Sequence, residues 1–561
     1  MDLLIQLRQQ ISRFDAEAAV AKNALLTRIS QITFVKANDL LMYHDMLLFM
    51  AAYPQNSLLL KYTEKELHRV AAIASKMQIS GKRDATHLTR TGISGSETQA
   101  NFSLTLCRHL VNRYGNAVEL YSCEGDENWS REILRCALPL AESEQLNDPS
   151  VTLESWLLQQ QRITGTNALQ MLIQLLDQME MSTAIREQVF EALRVFVSIT
   201  LRPPLPSCTF LRAPAGPVYF HRKDLEKRTD ARSLIAEPLG KPLSLSSQEK
   251  LAVIDAARAS LMLLNRETDT ITYTRSQSLE VYETGKGIRI ALFELEPARR
   301  LPFETYAGYM AFKNGIPLAY GGAWPFGYTA KIGLNIYEPF RGGESAYLLC
   351  QLMRVYHHRF GVKEFTVEPY QMGHGNKEGL LSGAFWFYYR MGFRPVDDKI
   401  ARLAETEFSQ ISAQKGYRTA LPVMKKLVSG PAALAVEPLP EGSITQAHLT
   451  WLSTQVSNYI TSTYNGDRKK AIQTSSRLMR ERLQLSATLW KKIPPQEQES
   501  FMQLSLFFAQ LNRIDQWSAN NRKRLLLLML GKGSDTEYPC VKLWQQNTSL
   551  QQDIIRLLNE M

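Results

Sequence analysis

The residues from Phe340 to Ala346 read Phe-Arg-Gly-Gly-Glu-Ser-Ala and lie between a strand-like run, 332–337, and a helix-like run, 347–360. A glycine-rich turn that ends a strand and opens a helix directs several backbone N–H groups to one point, where the helix dipole adds positive potential. Arg341 adds a guanidinium group with a fixed fork of donors. This pattern predicts a binding site for an anionic phosphate.

A second block follows later in the chain, where residues 388–393 read Tyr-Tyr-Arg-Met-Gly-Phe. Together the two blocks resemble the GCN5-related N-acetyltransferase superfamily. Its members have a loop Gln/Arg-Gly-x-Gly-x-Gly/Ala after the fourth strand, which holds the pyrophosphate of acyl-CoA, and a late helix that ends Tyr-x-x-x-Gly-Phe. The resemblance covers roughly residues 270–400 and implies an α+β fold with a mixed, mainly antiparallel sheet and helices.

Glu344 departs from the superfamily pattern, which has glycine at this loop position. A carboxylate that faced the diphosphate would repel it. It could instead point outward, or cap the N-terminus of the following helix, where an anion is favoured. The sequence leaves these three alternatives open.

The resemblance implies direct transfer of an acyl group from acetyl-CoA or another acyl-CoA to an amine. It places the residues that bind the cofactor on the fourth strand, in the loop and before the late helix. They are Asn335, Ile336, Tyr337, Arg341, Gly342, Gly343, Ser345, Ala346 and Asn376. A backbone N–H of the stretch Asn335–Tyr337 would polarise the thioester carbonyl, because the pantetheine pairs with this strand like an added strand.

The resemblance also implies that Tyr388 is the acid that protonates the leaving thiolate. The alternative is an aromatic residue that only packs its helix onto the sheet. Glu338 and Glu368 each end a predicted strand, near the crevice where ligands bind in such sheets, so either is a candidate base or an ordinary surface carboxylate. Trp324 and Phe326 follow two glycines in a strand and would line an acceptor pocket or fill a bulged hairpin.

Two other functions remain open alongside acyl transfer from CoA. One is an aminoacyl-tRNA-dependent transferase on the same fold, and the other is a non-catalytic scaffold in which Glu344 closes the phosphate site. The formal net charge of +10 suits nucleic acid, anionic CoA or a merely solvated basic surface.

The six cysteines of the 561-residue chain are scattered and form no C-x-x-C pair. Neither a disulfide framework nor a metal site is therefore predicted. No apolar stretch reaches the length of a membrane span, and the N-terminus lacks the features of a secretory signal. We therefore expect a cytoplasmic protein without membrane association, whose oligomeric state the sequence does not indicate.

The chain is too long for one ordinary core, and its pattern changes along its length. Helical runs, including Glu97–Tyr114 and Leu153–Thr200, precede a proline-dense stretch. Five short strands are then predicted at Thr270–Tyr273, Ile288–Leu295, Tyr306–Phe312, Pro317–Trp324 and Ala330–Tyr337, with Asn314-Gly315 as a hairpin turn. The predicted organisation is a mostly helical domain (1–200), a proline-rich linker (201–245), an acyltransferase-like domain (246–429), a linker (430–442) and a helical C-terminal domain (443–561).

Overall fold

A computed structural model of the chain describes residues 2–79, 83–226 and 229–559, except for the side chains of residues 83–85. The α-helices of this part are α1 (Asp2–Gln10), α2 (Ala16–Ile29), α3 (Ala37–Ala52), α4 (Ser57–Ile79), α5 (Leu104–Tyr114), α6 (Glu127–Ala137), α7 (Leu140–Ser143), α8 (Leu153–Thr164), α9 (Ala168–Gln178), α10 (Thr183–Ala192), α11 (Ala231–Ala236), α12 (Ser247–Leu263), α13 (Asp269–Thr272), α14 (Ser345–Phe360), α15 (Pro369–Met372), α16 (Lys377–Ser382), α17 (Ala384–Arg390), α18 (Asp398–Ala413), α19 (Leu421–Leu427), α20 (Leu449–Tyr464), α21 (Arg468–Arg482), α22 (Ala487–Trp490), α23 (Pro495–Phe508), α24 (Ala519–Gly531), α25 (Tyr538–Gln546) and α26 (Thr548–Asn559). Its strands are β1 (Glu97–Asn101), β2 (Val118–Cys123), β3 (Val195–Thr200), β4 (Glu280–Gly285), β5 (Ile288–Glu294), β6 (Ala307–Lys313), β7 (Ile316–Phe326), β8 (Thr329–Ile336), β9 (Glu364–Val367), β10 (Arg394–Pro395) and β11 (Ala432–Ala435).

These elements form two units. The first comprises Met1–Asp224, Leu251–Thr272 and Lys313–Pro317, and the second comprises Leu225–Lys250, Tyr273–Phe312 and Leu318–Met561. All of the predicted site residues belong to the second unit. None of the helices in the described residues is both long and apolar enough to cross a bilayer.

The first unit combines helices with a three-stranded sheet in the order β1-β3-β2. Two predicted helices are corrected here. The run Glu97–Tyr114 begins as β1 and becomes helical only at Leu104, where the Ser103 hydroxyl accepts the Leu106 N–H at 3.1 Å. The run Leu153–Thr200 ends in β3, because β3 pairs with both β1 and β2. These long-range strand pairings override the local helical pattern.

The second unit contains an eight-stranded sheet in the order β10-β11-β9-β8-β7-β6-β5-β4. The pairs β10–β11, β11–β9, β7–β8 and β4–β5 are antiparallel, whereas β8 and β9 are parallel. The predicted mixed α+β class is confirmed, with a mostly antiparallel sheet and helices. Strands β5 to β8 lie within two residues of their predicted bounds, and Asn314 and Gly315 form the hairpin turn with φ of 48° and 80°. The predicted strand Thr270–Tyr273 is wrong, since Asp269–Thr272 form α13.

The segment 430–442, predicted as a linker, instead contains β11, which pairs with β9 on one side and β10 on the other. Four small or apolar residues between prolines are too short a run for the alternating pattern to be recognised. Farther along, helices α20 to α26 enclose an apolar core that includes Phe501, Phe507 and Trp544. The sheet therefore has a second layer of apolar contacts at the end where β7 turns into β8.

Candidate functional site

The edge of β8 opens toward β9 at the carboxyl end of the parallel pair. The register joins Thr329 to Glu364, Ala330 to Phe365 and Lys331 to Thr366. β8 then continues to Ile336, whereas β9 ends at Val367. Among the described strands, the last five residues of β8 therefore have a neighbour only on the β7 side. An unpaired strand edge of this kind accepts an extended ligand as an added strand.

The direction of the β8 amides follows from one hydrogen bond. The Tyr337 N–H donates to the Leu318 C=O of β7 at 3.1 Å. Because successive residues of a strand turn their amides to opposite sides, the Asn335 amide also faces β7 and the Ile336 amide faces the open edge. Of the predicted stretch Asn335–Tyr337, Ile336 is therefore the residue whose N–H is placed to meet a carbonyl in the opening.

The loop after β8 leads directly into the N-terminus of α14. Gly342 has a φ of +82°, and a Cβ built there would meet nothing within 4 Å, so the backbone is open to close approach. The Gly343 N–H is used inside the turn, where it donates to the Phe340 C=O at 3.2 Å. The first bond of the helical ladder runs from the Leu348 N–H to the Glu344 C=O at 2.8 Å, so the amides of Ser345 and Ala346 precede it.

Arg341 is the loop's exposed cation, with 53% of its side chain accessible. It forms an ion pair with Glu378, whose side chain is 68% accessible, and its Nε donates to the Ile336 C=O at 3.3 Å. An exposed ion pair contributes little to stability, so the guanidinium is available to a more highly charged anion. Arg341, Ser345 and Ala346 together present the donors that a phosphate requires.

Glu344 takes neither the outward position nor the capping position considered from the sequence. Its side chain is 3% exposed, so it does not point outward, and it makes no cap hydrogen bond to α14. Instead its carboxylate lies 3.7 Å from the Lys286 ammonium, which also pairs with Glu226 at 2.6 Å and lies over the Tyr347 ring. Burial acts to lower the pKa of Lys286, but the Glu226 hydrogen bond and the charge of Glu344 outweigh it and raise that pKa, so the ammonium stays charged. The negative charge of Glu344 is thus partly offset by an ammonium that it shares with Glu226.

Tyr388 lies in α17 with only 4% of its surface exposed, and its ring packs against Phe387 and Phe393. Burial raises the pKa of its phenol, so the group remains protonated at neutral pH, as a proton donor must. Tyr388 also contributes to raising the pKa of Tyr309, after the larger effect of burial. The Tyr309 hydroxyl donates to the Gly333 C=O of β8 at 2.8 Å.

Glu338 and Glu368 lie beyond the carboxyl ends of β8 and β9, as predicted from their positions in sequence. Glu338 is exposed. Glu368 is 51% exposed and pairs with Lys331 at 2.9 Å, at the last paired position of β8. Both carboxylates are accessible from solvent, and within the part of the chain that the structure describes neither forms a hydrogen bond with Tyr388.

Asn376 has a structural role in place of the predicted cofactor contact. Its Oδ1 accepts the Gly379 N–H at 3.0 Å and caps α16, and its Nδ2 donates to the Tyr370 C=O at 3.3 Å. The late helix expected from the resemblance is in fact two helices, α16 and α17, separated by Gly383 at a φ of +71°. Asparagine is a favoured N-cap residue, which accounts for its presence here.

Phe326 does not line an acceptor pocket and this prediction is corrected. It is 2% exposed, and its ring centroid lies 5.0 Å from that of Trp544 in the C-terminal helical core. Trp324 is half-buried and stacks on Tyr306 with centroids 4.4 Å apart. The preceding Gly322 is required by this arrangement, because a Cβ there would lie 2.6 Å from the Tyr306 ring. The glycines thus accommodate tyrosine rings of the sheet, and the β7–β8 pairing is regular, without the bulge that the sequence alternative included.

Three residues of the site escaped sequence analysis: Lys286, Tyr309 and Gln371. The Gln371 Nε2 lies 3.3 Å from the point where a Cβ of Gly333 would be, over the open edge of β8. The glycines on both sides of Lys286 indicated a turn, but the turn's position against α14 depends on the folding of the sheet. Nothing in the local sequence around Tyr309 or Gln371 indicates their contacts with Gly333.

Comparison of the chain with protein-family models, with curated proteins and with solved structures found no match. What the site can do chemically follows from its own residues and geometry. These are an open edge of β8, a helix N-terminus beside it with the exposed Arg341, and the buried, protonated Tyr388.

Proposed function

We propose that the chain is an acyl-CoA-dependent N-acyltransferase with a fold of the GCN5-related type. The observation that carries this proposal is the arrangement of β8. Its unpaired edge ends in a loop that delivers Arg341 and the amides of Ser345 and Ala346 at the N-terminus of α14. An extended thioester with a pyrophosphate at one end has the shape and charge that this arrangement favours.

The cofactor binds in this scheme with its pyrophosphate on the loop and its pantetheine along β8. The Arg341 guanidinium and the two amides contact the phosphate oxygens. These oxygens are stronger acceptors than the Glu378 carboxylate and replace it as the partner of Arg341. The amides of Leu334 and Ile336 face the pantetheine. The Ile336 N–H then donates to the thioester oxygen and stabilises the negative charge that develops there during attack.

The chemistry is direct attack of a neutral amine nitrogen on the thioester carbon. Glu338 or Glu368, directly or through water, accepts a proton from the attacking nitrogen. The new C–N bond forms as the C–S bond breaks, and the Tyr388 hydroxyl supplies a proton to the leaving thiolate. The exposed carboxylates at the strand ends favour an acceptor that arrives as a cationic amine, because opposite charge raises its local concentration.

Turnover by Tyr388→Phe tests the proposal. Acetyl-CoA is incubated with a pool of amines, and the free thiol of CoA is measured as it is released. Loss of a proton donor lowers the rate by about 10²–10⁴, so kcat is expected to fall by at least the lower figure while acetyl-CoA affinity is retained. Tyr389→Phe is the control, since Tyr389 packs against Phe385 and Arg394 and has no role in transfer.

Two results would contradict this role for Tyr388. One is full turnover by Tyr388→Phe on an acceptor that the wild-type protein uses. The other is an equal loss in Tyr389→Phe, which would indicate that packing of α17 is what matters. Failure of the wild-type protein to release any thiol with amines, despite binding acetyl-CoA, would favour a non-catalytic scaffold.

A further inference from the structure

An open groove of about 380 Å³ lies in the second unit, away from the residues of the Arg341–Ala346 loop. Its walls come from the start of α11, the end of α17 and the strands β10 and β11. Three arginines line it, Arg232, Arg390 and Arg394, against a single carboxylate, Asp230. A groove of this size matches the sites that hold small ligands, and its formal charge of +2 suits a dianion.

Arg394 is held in place by the fold. Its Nη1 donates to the carbonyls of Tyr389 and Phe393, each at 2.9 Å, and its guanidinium lies 4.0 Å from the centroid of the Tyr389 ring. Two of the five N–H donors are used in these bonds. The remaining three have no acceptor among the described residues. A guanidinium fixed in this way loses little freedom when it binds a ligand.

Arg232 and Arg390 are exposed, and neither forms a salt bridge or a side-chain hydrogen bond in the part of the chain that the structure describes. Asp230 does not neutralise the arginines effectively, because its oxygens cap α11. They accept the Ser233 hydroxyl at 2.7 Å and the Arg232 N–H at 3.2 Å. These hydrogen bonds, that of the Ser233 side chain first, lower the pKa of Asp230 and keep it ionised. Positive charge in the groove therefore exceeds what the fold compensates.

We propose that this groove is a second anion site, which binds a phosphate monoester through Arg232, Arg390 and Arg394. Planar guanidinium groups match the oxygens of phosphate in two-point contacts. Three of them suit the two negative charges of a phosphate monoester better than the single charge of a carboxylate ligand. The phosphate comes either from the 3′-phosphate of a bound CoA or from a separate phosphorylated ligand. The site does not depend on acyl transfer.

The test uses the full chain with the double substitution Arg232→Ala/Arg390→Ala. Arg394 is kept because it supports the end of α17. The control is Arg402→Ala/Arg418→Ala, which removes the same charge from two exposed arginines outside the groove. Both pairs are made in an Arg341→Ala background, so that the loop contributes less, and inorganic pyrophosphate is titrated calorimetrically. The groove variant is expected to bind pyrophosphate at least about tenfold more weakly than the control.

Titrations of CoA and dephospho-CoA into the wild type and into a groove variant that keeps Arg341 then distinguish the two sources of phosphate. If the groove holds the 3′-phosphate of CoA, the variant loses affinity for CoA and keeps its affinity for dephospho-CoA. If the ligand is separate, the variant binds both as the wild type does, while its loss of pyrophosphate binding persists. Equal pyrophosphate affinity in the groove variant and the control would overturn the proposal.

Discussion

At the scale of single residues, the proposed anion site depends on Lys286 and Glu344, which lie beside the loop before α14. The Glu344 carboxylate is buried where the superfamily pattern has glycine, and the Lys286 ammonium lies 3.7 Å from it. A buried carboxylate without a partner would repel a phosphate at the same helix end. The Lys286 ammonium, shared by Glu226 and Glu344, offsets part of that charge, as the proposed binding of acyl-CoA at this loop requires.

Lys286→Met should weaken acetyl-CoA binding by about three- to tenfold, because it leaves the charge of Glu344 uncompensated near the phosphates. Adding Glu344→Gln to the same protein should restore most of the affinity, since the repelling charge is then gone. Isothermal titration of the single and double variants measures both effects. Lys415→Met serves as the control, as Lys415 is exposed and distant in sequence from the loop.

If Lys286→Met weakens binding and Glu344→Gln fails to restore it, the lysine acts on the ligand directly. If neither substitution changes the affinity, the loop is not where the cofactor binds. Sequence analysis identified Arg341, Gly342 and Tyr388 because each belongs to a local motif. It did not identify Lys286, since the contact of this residue with Glu344 exists only once β4 and β5 have paired.

At the scale of elements, β7 and β8 owe their close pairing to glycine. A Cβ at Gly321 would collide with the Gly333 C=O and would lie 2.8 Å from the Tyr309 hydroxyl. The same hydroxyl donates to Gly333, so this position supports the edge of β8 from the neighbouring strands. A side chain at 321 would displace the strand that presents the Ile336 amide.

Gly321→Ala should therefore destabilise the second unit by about 1–3 kcal/mol, as expected for overpacking. Acetyl-CoA affinity should fall as well, because β8 shifts. Gly240→Ala is the matched control, since a Cβ at Gly240 would meet nothing within 4 Å. Chemical denaturation measures the stability difference. A Gly321→Ala protein as stable as the Gly240→Ala protein would show that the β7–β8 contact is not tight.

The elements found from sequence are those with long, regular patterns. Strands β5 to β8 are runs of seven or more residues rich in apolar side chains, and α14 follows a glycine turn. β10 and β11 have two and four residues, too few for a period to be recognised. Asn376 and Phe326 were assigned to ligands because their neighbours in space, the amide of Gly379 and the ring of Trp544, were not known.

At the scale of the whole molecule, a buried cluster of charges joins the sheet of the second unit to its C-terminal helices. Glu294 ends β5, and its Oε2 accepts the Glu537 N–H at 2.9 Å. Glu537 pairs with Lys532 at 2.5 Å, and Arg300 lies 3.8 Å from Glu294. All four side chains are almost fully buried. Burial, the largest effect, raises the pKa of Glu294 from its ordinary 4.5 to about 7.

A carboxyl group whose pKa is raised by folding contributes its full stabilisation at any pH below its pKa in the unfolded chain. This contribution is lost as the pH rises through the pKa of the group in the folded protein. For Glu294 this interval runs from about 4.5 to about 7. Glutamine never ionises, so the free energy of unfolding of Glu294→Gln lacks this dependence on pH. From pH 5 to pH 8 it should therefore rise by about 1–3 kcal/mol relative to that of the wild type. Urea unfolding at both pH values measures the difference, with exposed Glu405→Gln as the control. A difference that does not change with pH would contradict this account.

The division of the chain into units differs from the division that its proline content suggested. Prolines around residues 203–217 and 430–440 suggested linkers between three domains. The structure divides the chain into two units, and the helices after residue 443 belong to the same unit as the sheet. Proline density indicates where regular structure is interrupted. It carries no information on contacts such as those of Phe326 with Trp544 or Glu294 with Glu537, which lie far apart in sequence.

Calorimetric titration of acetyl-CoA into the wild-type protein and into Arg341→Ala tests the central claim most directly, that an acyl-CoA binds at the loop before α14. We expect saturable binding to the wild type and a loss of about 1–3 kcal/mol in Arg341→Ala, since a charge-assisted contact to phosphate is removed. Arg402→Ala, an exposed arginine elsewhere, should bind as the wild type does. No binding to the wild type, or equal affinity in Arg341→Ala and Arg402→Ala, would contradict the claim.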